Sequence, residues 1–139
     1  MNISFADTLY FKEDNILKIL LGSHRTYKLI HQEISTETRK NNLTLNEFLI
    51  LIEIRKGFKK KIDLSKKLII KRQNINIIFK NLEDKKLIFN LDNTKVELTE
   101  NGKKKLEKSI KKISERIMVL FKKTDSKYMS GFINVIENL

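Results

Sequence analysis

Apolar residues recur at steps of four and three along two stretches of this chain, one near each end, and no proline interrupts either. Ile16, Leu20, Ser23, Tyr27, Ile30 and Ile34 form one series; Leu106, Ile110, Ile113, Ile117 and Leu120 form the other. This alternation keeps a stripe on one side of an α-helix, and proline is the residue that would break it. Long helices are therefore expected over residues 12–41 and 100–123, each with its stripe as a packing seam. Residues 1–12 are apolar without a clear period and read as an arm that packs on a partner subunit.

The middle of the chain reads differently. Thr44-Leu45-Asn46-Glu47 has the form of a capping box, in which hydroxyl and carboxylate satisfy free amides of a first turn. It announces a mostly buried helix over 45–56, closed by Gly57. Residues 58–61 form a short strand or link. Asp63 offers a cap for a short helix over 64–68, a turn follows at 69–71, and a helix is expected over 72–85. Ile75, Ile78, Phe79 and Leu82 share the inward face of that helix. Strands over 87–91 and 95–98 flank Asp92-Asn93-Thr94, residues suited to a tight turn. Thr99 caps the helix that follows, and a last helix over 126–139 presents Met129, Phe132, Ile133 and Ile136.

Charge singles out the same middle block. The chain has a net charge of +12, yet residues 1–50 balance, with six basic and six acidic side chains. Residues 55–95 hold thirteen Lys/Arg against four Asp/Glu. A local excess of this size points to a polyanionic partner, with a solvated lysine-rich surface as the plain alternative. The longest strictly apolar runs, such as residues 48–52, are far short of the roughly 20 residues that cross a bilayer. No secretory signal is apparent, so a cytoplasmic protein without a membrane partner is expected. Without cysteine there is no disulfide, thiolate metal site or thiol switch.

Catalytic and metal chemistry find little support. His24 and His31 are seven residues apart and can share a helix face with nearby Glu33. Two histidines on one helix are more often interface or surface residues, so no metal and no cofactor are expected. Ser23 beside His24 lacks an orienting acid at useful spacing, and no glycine-rich phosphate loop or paired-carboxylate motif stands out. The chain is not expected to be an enzyme.

Two short helices joined by a turn and followed by a two-stranded hairpin match a winged helix-turn-helix. Once Ile75, Ile78, Phe79 and Leu82 are turned inward, Arg72, Gln73, Asn74, Asn76 and Lys80 remain outside. Arginine can pair with guanine in two hydrogen bonds, and glutamine and asparagine can do so with adenine. Lys71 and Arg72 lie at a helix N-terminus, where exposed amides attract phosphate. Lys60, Lys61, Ser65 and Lys66, with Lys56, Lys59 and Lys67 around them, are candidates for backbone contacts that hold register. Asn93, Thr94 and Lys95 form the tip of the wing, and Asn93 and Lys95 are taken as contacts there.

Four segments, in order, carry a resemblance: Leu43-Thr44-Leu45-Asn46-Glu47-Phe48, Ile62-Asp63-Leu64-Ser65-Lys66-Lys67-Leu68, Asn81-Leu82-Glu83-Asp84-Lys85-Lys86-Leu87-Ile88 and Val96-Glu97-Leu98-Thr99-Glu100-Asn101-Gly102. Together they resemble the MarR family of bacterial transcription regulators, including its SarA-like branch. The resemblance implies a mainly α fold with a β-hairpin wing: a dimerisation segment over 1–42, a winged lobe over 43–99 and dimerisation helices over 100–139. It further implies a homodimer on a pseudo-palindromic duplex and leaves room for a small-molecule effector between the dimer helices and the lobe. Tyr27, His31 and Phe48 are the residues offered for that pocket, against core packing as the other reading. The hairpin lacks the acidic-x-Arg element common near the family's wing tip, and Lys95 is the nearest basic substitute. The wing is then expected to touch phosphate alone. A different class, a helical dimer acting as an adaptor or antagonist of another regulator, would keep this fold and lose base reading.

Overall fold

A computed structural model describes residues 13–92 and 94–139. The arm expected over residues 1–12, and Asn93 at the wing tip, lie outside the described residues. The elements are α1 (Glu13–Lys40), α2 (Leu45–Arg55), α3 (Lys61–Lys67), α4 (Arg72–Asp84), β1 (Ile88–Asp92), β2 (Lys95–Leu98), α5 (Glu100–Phe121) and α6 (Ser126–Glu137).

The capping box forms as its residues dictate. Thr44 Oγ1 accepts from the Glu47 amide at 3.2 Å, and Glu47 Oε2 accepts from the Thr44 amide at 2.8 Å. The same carboxylate is buried and receives Lys85 Nζ at 2.7 and 2.9 Å, while Lys85 also donates to the Asn42 carbonyl at 2.8 Å. A buried carboxylate is tolerable only when paired and hydrogen-bonded, and this one joins the C-terminus of α4 to the turn between α1 and α2. Gly57 ends the α2 segment at φ +103°, a backbone shape that disfavours side chains.

Helix α3 starts at Lys61, earlier than expected, and Asp63 is not its cap. The backbone supplies what a capping side chain would: the Lys60 carbonyl accepts from the amides of Asp63 and Leu64, and the Lys61 amide donates to Thr94 O at 3.2 Å. Asp63 lies in the first turn, where its charge suits the helix dipole. The turn into α4 is held by Ser65, whose hydroxyl donates to Ile70 O at 2.7 Å while the Ile70 amide donates back to Ser65 O at 3.0 Å.

Strands β1 and β2 are antiparallel, with Ile88 opposite Leu98 and Asp92 opposite Lys95, and an irregularity between Asn90 and Asp92. The link after α2 runs beside them: Lys60 bridges Lys95, and the Val96 amide donates to Lys59 O at 2.9 Å. The base of the wing is equally tight. Thr99 caps α5 through the Gly102 amide and donates its hydroxyl to Lys86 O at 2.8 Å. A Cβ on Gly102 would lie 2.0 Å from the Leu87 carbonyl oxygen, so only glycine fits.

One core joins these parts. It contains Leu43, Phe48, Ile50, Leu51 and Ile54, then Leu64, then Ile75, Ile78, Phe79 and Leu82, then Leu87, Ile88 and Val96, and finally Leu106 and Ile113. Phe48 is a core residue, and Tyr27 is exposed. Helix α1 meets α5 through polar contacts near the lobe: Asn41 Nδ2 to Ser109 Oγ at 3.0 Å, Lys105 Nζ to Asn41 O at 3.0 Å, and Arg116 to Glu33 at 3.0 Å. Farther out, Leu17, Leu20 and Leu21 on α1, Met118 and Val119 on α5, and Phe132, Ile133 and Ile136 on α6 are exposed.

Candidate nucleic-acid interface

A groove of about 510 Å³ runs between α3, the first turns of α4 and the tip of the wing. Its walls are Lys60, Lys61, Ile62 and Ser65 from the link and α3, Arg72, Ile75 and Asn76 from α4, and Thr94 from the wing. Among the described residues no carboxylate lines it. Two further cavities differ: Glu97 and Glu107 line one, Asp63 and Glu97 the other. An acid-free concave surface with three cations concentrates positive potential where a polyanion would enter.

Which cations remain unmatched follows from their neighbours. Lys59 pairs with Glu97, Lys56 and Lys67 lie 3.7 Å from Glu53, and Lys67 sits 4.0 Å over the Phe58 ring. Lys61, in the groove wall, has its Nζ 5.3 Å from the centre of the Phe79 ring, a cation–π contact. Lys60, Lys66, Lys71, Arg72 and Lys80 form no ion pair among the described residues.

Acids near the wing are already engaged. The Asp92 carboxylate accepts from Thr94 Oγ1 at 2.6 Å, the Thr94 amide at 2.7 Å and the Lys95 amide at 2.9 Å, and these bonds, led by the Thr94 hydroxyl, hold it below its ordinary pKa. The Lys59 ammonium does the same for Glu97. Helix α4 has no side-chain cap at Lys71, so its first-turn amides are not consumed by a neighbouring hydroxyl or carboxylate.

The sequence-predicted residues divide accordingly. Lys60, Lys61, Ser65, Arg72 and Asn76 come together in the groove. Lys66, Lys71, Gln73, Asn74 and Lys80 are exposed on α3, α4 and the turn between them, and Lys95 lies on another side of the wing with Leu91 and Gly57. Ser65 has committed its hydroxyl proton to Ile70, so it can only accept from a ligand. Sequence reasoning did not single out Ile62 or Ile77. Ile62 lines the groove, and Ile77 is exposed in the middle of the polar face of α4. A helical projection of residues 72–84 was the signal available for Ile77, because it lands opposite the buried stripe. His24 and His31 take part in no metal-ligand cluster among the described residues. His31 instead sits against Tyr27, with ring centres 5.5 Å apart.

No family model and no curated protein matches this sequence. Solved structures do match. A MarR-family protein of Mycobacterium tuberculosis in complex with DNA is 19% identical, with a TM-score of 0.72 over 88% of this chain and 95% of that one. A MarR transcriptional regulator from Methanosarcina mazei is 22% identical, with a TM-score of 0.74 over 86% and 90%. NadR in complex with 4-hydroxyphenylacetate is 18% identical, with a TM-score of 0.77 over 86% and 92%. Coverage of this extent takes in the long helices as well as the winged lobe, and the chain has the winged-helix fold of the MarR-family transcription regulators.

Proposed function

We propose that this chain is a bacterial, cytoplasmic transcription regulator that binds duplex DNA as a homodimer on a pseudo-palindromic site and has no enzymatic activity. The observation that carries this reading is the acid-free groove, with Lys60, Lys61, Arg72 and Asn76 converging at the start of α4. Arg72, Gln73, Asn74 and Asn76 read base edges; Lys60, Lys61, Lys66, Lys71 and Lys80 hold phosphates; Ser65 accepts within the groove; and the wing, through Asn93 and Lys95, follows the backbone. The residues from 43 to 99 are the reading lobe, and segments 1–42 and 100–139 join two copies.

Exposed apolar residues on the outer halves of α1 and α5 and along α6 support the dimer, because large exposed apolar patches mark association sites. Two rigidly joined lobes reach half-sites about 34–36 Å apart, one turn of the duplex. A small acid bound between dimer helices and lobe would regulate by favouring one lobe spacing, a reading supported by the 4-hydroxyphenylacetate complex of NadR.

The test is a duplex titration over a range of salt. Affinity should fall steeply as salt rises, since each neutralised phosphate releases counterions. Arg72→Ala or Asn76→Ala should erase about 1–3 kcal/mol of preference for the selected site over random duplex. Lys60→Ala should weaken all duplexes alike. Specific binding left intact in both Arg72→Ala and Asn76→Ala would overturn the assignment of α4 as the reading helix.

A further inference from the structure

Ile77 is 60% exposed, although the wet face of a helix normally carries polar or charged side chains. A single exposed isoleucine has little meaning by itself. Its position gives it meaning. With the buried stripe of α4 at Ile75, Ile78, Phe79 and Leu82, the directly opposite line runs through Gln73, Ile77 and Lys80, at steps of four and three. Ile77 therefore sits at the centre of the face that projects farthest from the core, beside Asn76 in the groove wall. Isoleucine is a poor choice there for helix propensity, because its β-branch loses rotamers against the preceding turn.

Resting on the reading of α4 as the helix that enters the major groove, we infer that Ile77 is a specificity determinant that reads a thymine methyl. The operator half-site then has an A·T core. In the major groove an A·T pair presents the adenine N6 and N7 to an amide and the thymine C5-methyl to an apolar side chain. No other base pair offers an apolar group there. Gln73 and Ile77 are about 6 Å apart along the helix, under two base-pair steps of about 3.4 Å. An adenine held by Gln73 and a methyl covered by Ile77 thus fit within three consecutive pairs. The amide-rich start of α4 favours the same composition, with Asn74 and Asn76 as further adenine partners.

Deoxyuridine in place of thymidine removes the methyl and leaves every hydrogen bond, so it isolates this contact. The duplex selected by the wild-type protein from a random pool is remade with single thymidine-to-deoxyuridine changes, and affinities are read by fluorescence anisotropy at one fixed salt concentration. The wild type should lose about fourfold at one position in each half-site, the loss expected for one buried methyl. Ile77→Ala should bind the thymidine duplex about as weakly as the wild type binds a duplex with deoxyuridine at that position in both half-sites, and should be indifferent to the change. Ile77→Val, which keeps the branch, should retain part of the discrimination. Circular dichroism should show both variants as helical as the wild type, since residue 77 is outside the core. Tight, salt-dependent binding with no position sensitive to methyl removal, or the same sensitivity in Ile77→Ala as in the wild type, would overturn the inference and leave the DNA-binding reading standing. Failure to retain any duplex at low salt would overturn both.

Discussion

The lobe and the arms of this molecule obey different rules. From Leu43 to Val96, most large apolar side chains join one core, with Ile62, Ile69, Ile77, Phe89 and Leu91 left exposed, and the buried Glu47 carboxylate is matched by Thr44 and Lys85. The outer half of α1 and all of α6 have the same kind of apolar periodicity and no buried residue at all. Equal patterning with unequal burial means that the pattern alone does not say which chain supplies the other side. The lobe's core is built within one chain; in the proposed homodimer the second copy covers the arms.

Three experiments test that contrast, in falling order of effect. Leu82→Ala, at a fully buried position of α4, should cost the protein about 2–5 kcal/mol in urea denaturation, the range for a large-to-small change in a packed core. A cost near zero would mean that the lobe is not self-sufficient. Ile133→Glu on α6 should leave the lobe's structure unchanged, because the residue is exposed in the single chain. If this helix lies in the interface of the proposed homodimer, the change should nevertheless raise that dimer's dissociation constant by about a hundredfold or more, since a carboxylate buried without a partner costs several kcal/mol. Sedimentation equilibrium reads this directly, and an unchanged constant would remove α6 from the interface.

The smallest effect concerns the wing. Asp92 is fully exposed and held below its ordinary pKa by Thr94 and Lys95. A lowered folded-state value means that its contribution is complete above the ordinary carboxylate range and disappears as the pH falls through the folded value. Protection of the Thr94 and Lys95 amides from hydrogen exchange should therefore hold at neutral pH and fade below about pH 4, while amides of the lobe core stay protected. Asp92→Asn should abolish that pH dependence.

Much of the lobe could be read from residues alone because its signals are local. A capping box at Thr44 and Glu47, a turn at Asp92 and a cap at Thr99 each involve residues a few positions apart, and each forms. The start of α3 escaped for the opposite reason. Its first amide is satisfied by Thr94, more than thirty positions away, so no local pattern announces Lys61 as the first residue. The candidate site shows the same division. Arg72 and Asn76 were evident from the polar face of one helix, whereas Ile62 joins them only through packing of α3 against α4. The pairing of Lys59 and Lys67 with Glu97 and Glu53 was equally hidden, and it separates lysines that balance an acid from those that face outward unmatched.

The contact between Gly102 and Leu87 has a mechanical consequence. No side chain lies between the first turn of α5 and the strand that feeds the hairpin, so this joint has no slack. Helix α5, with its 22 residues, is a lever about 33 Å long. A tilt of about 5° about the joint moves the far end by roughly 3 Å, close to one base-pair rise. In the proposed homodimer on DNA, a molecule wedged among the distal helices would thus shift the two lobes against the duplex in increments that DNA itself counts.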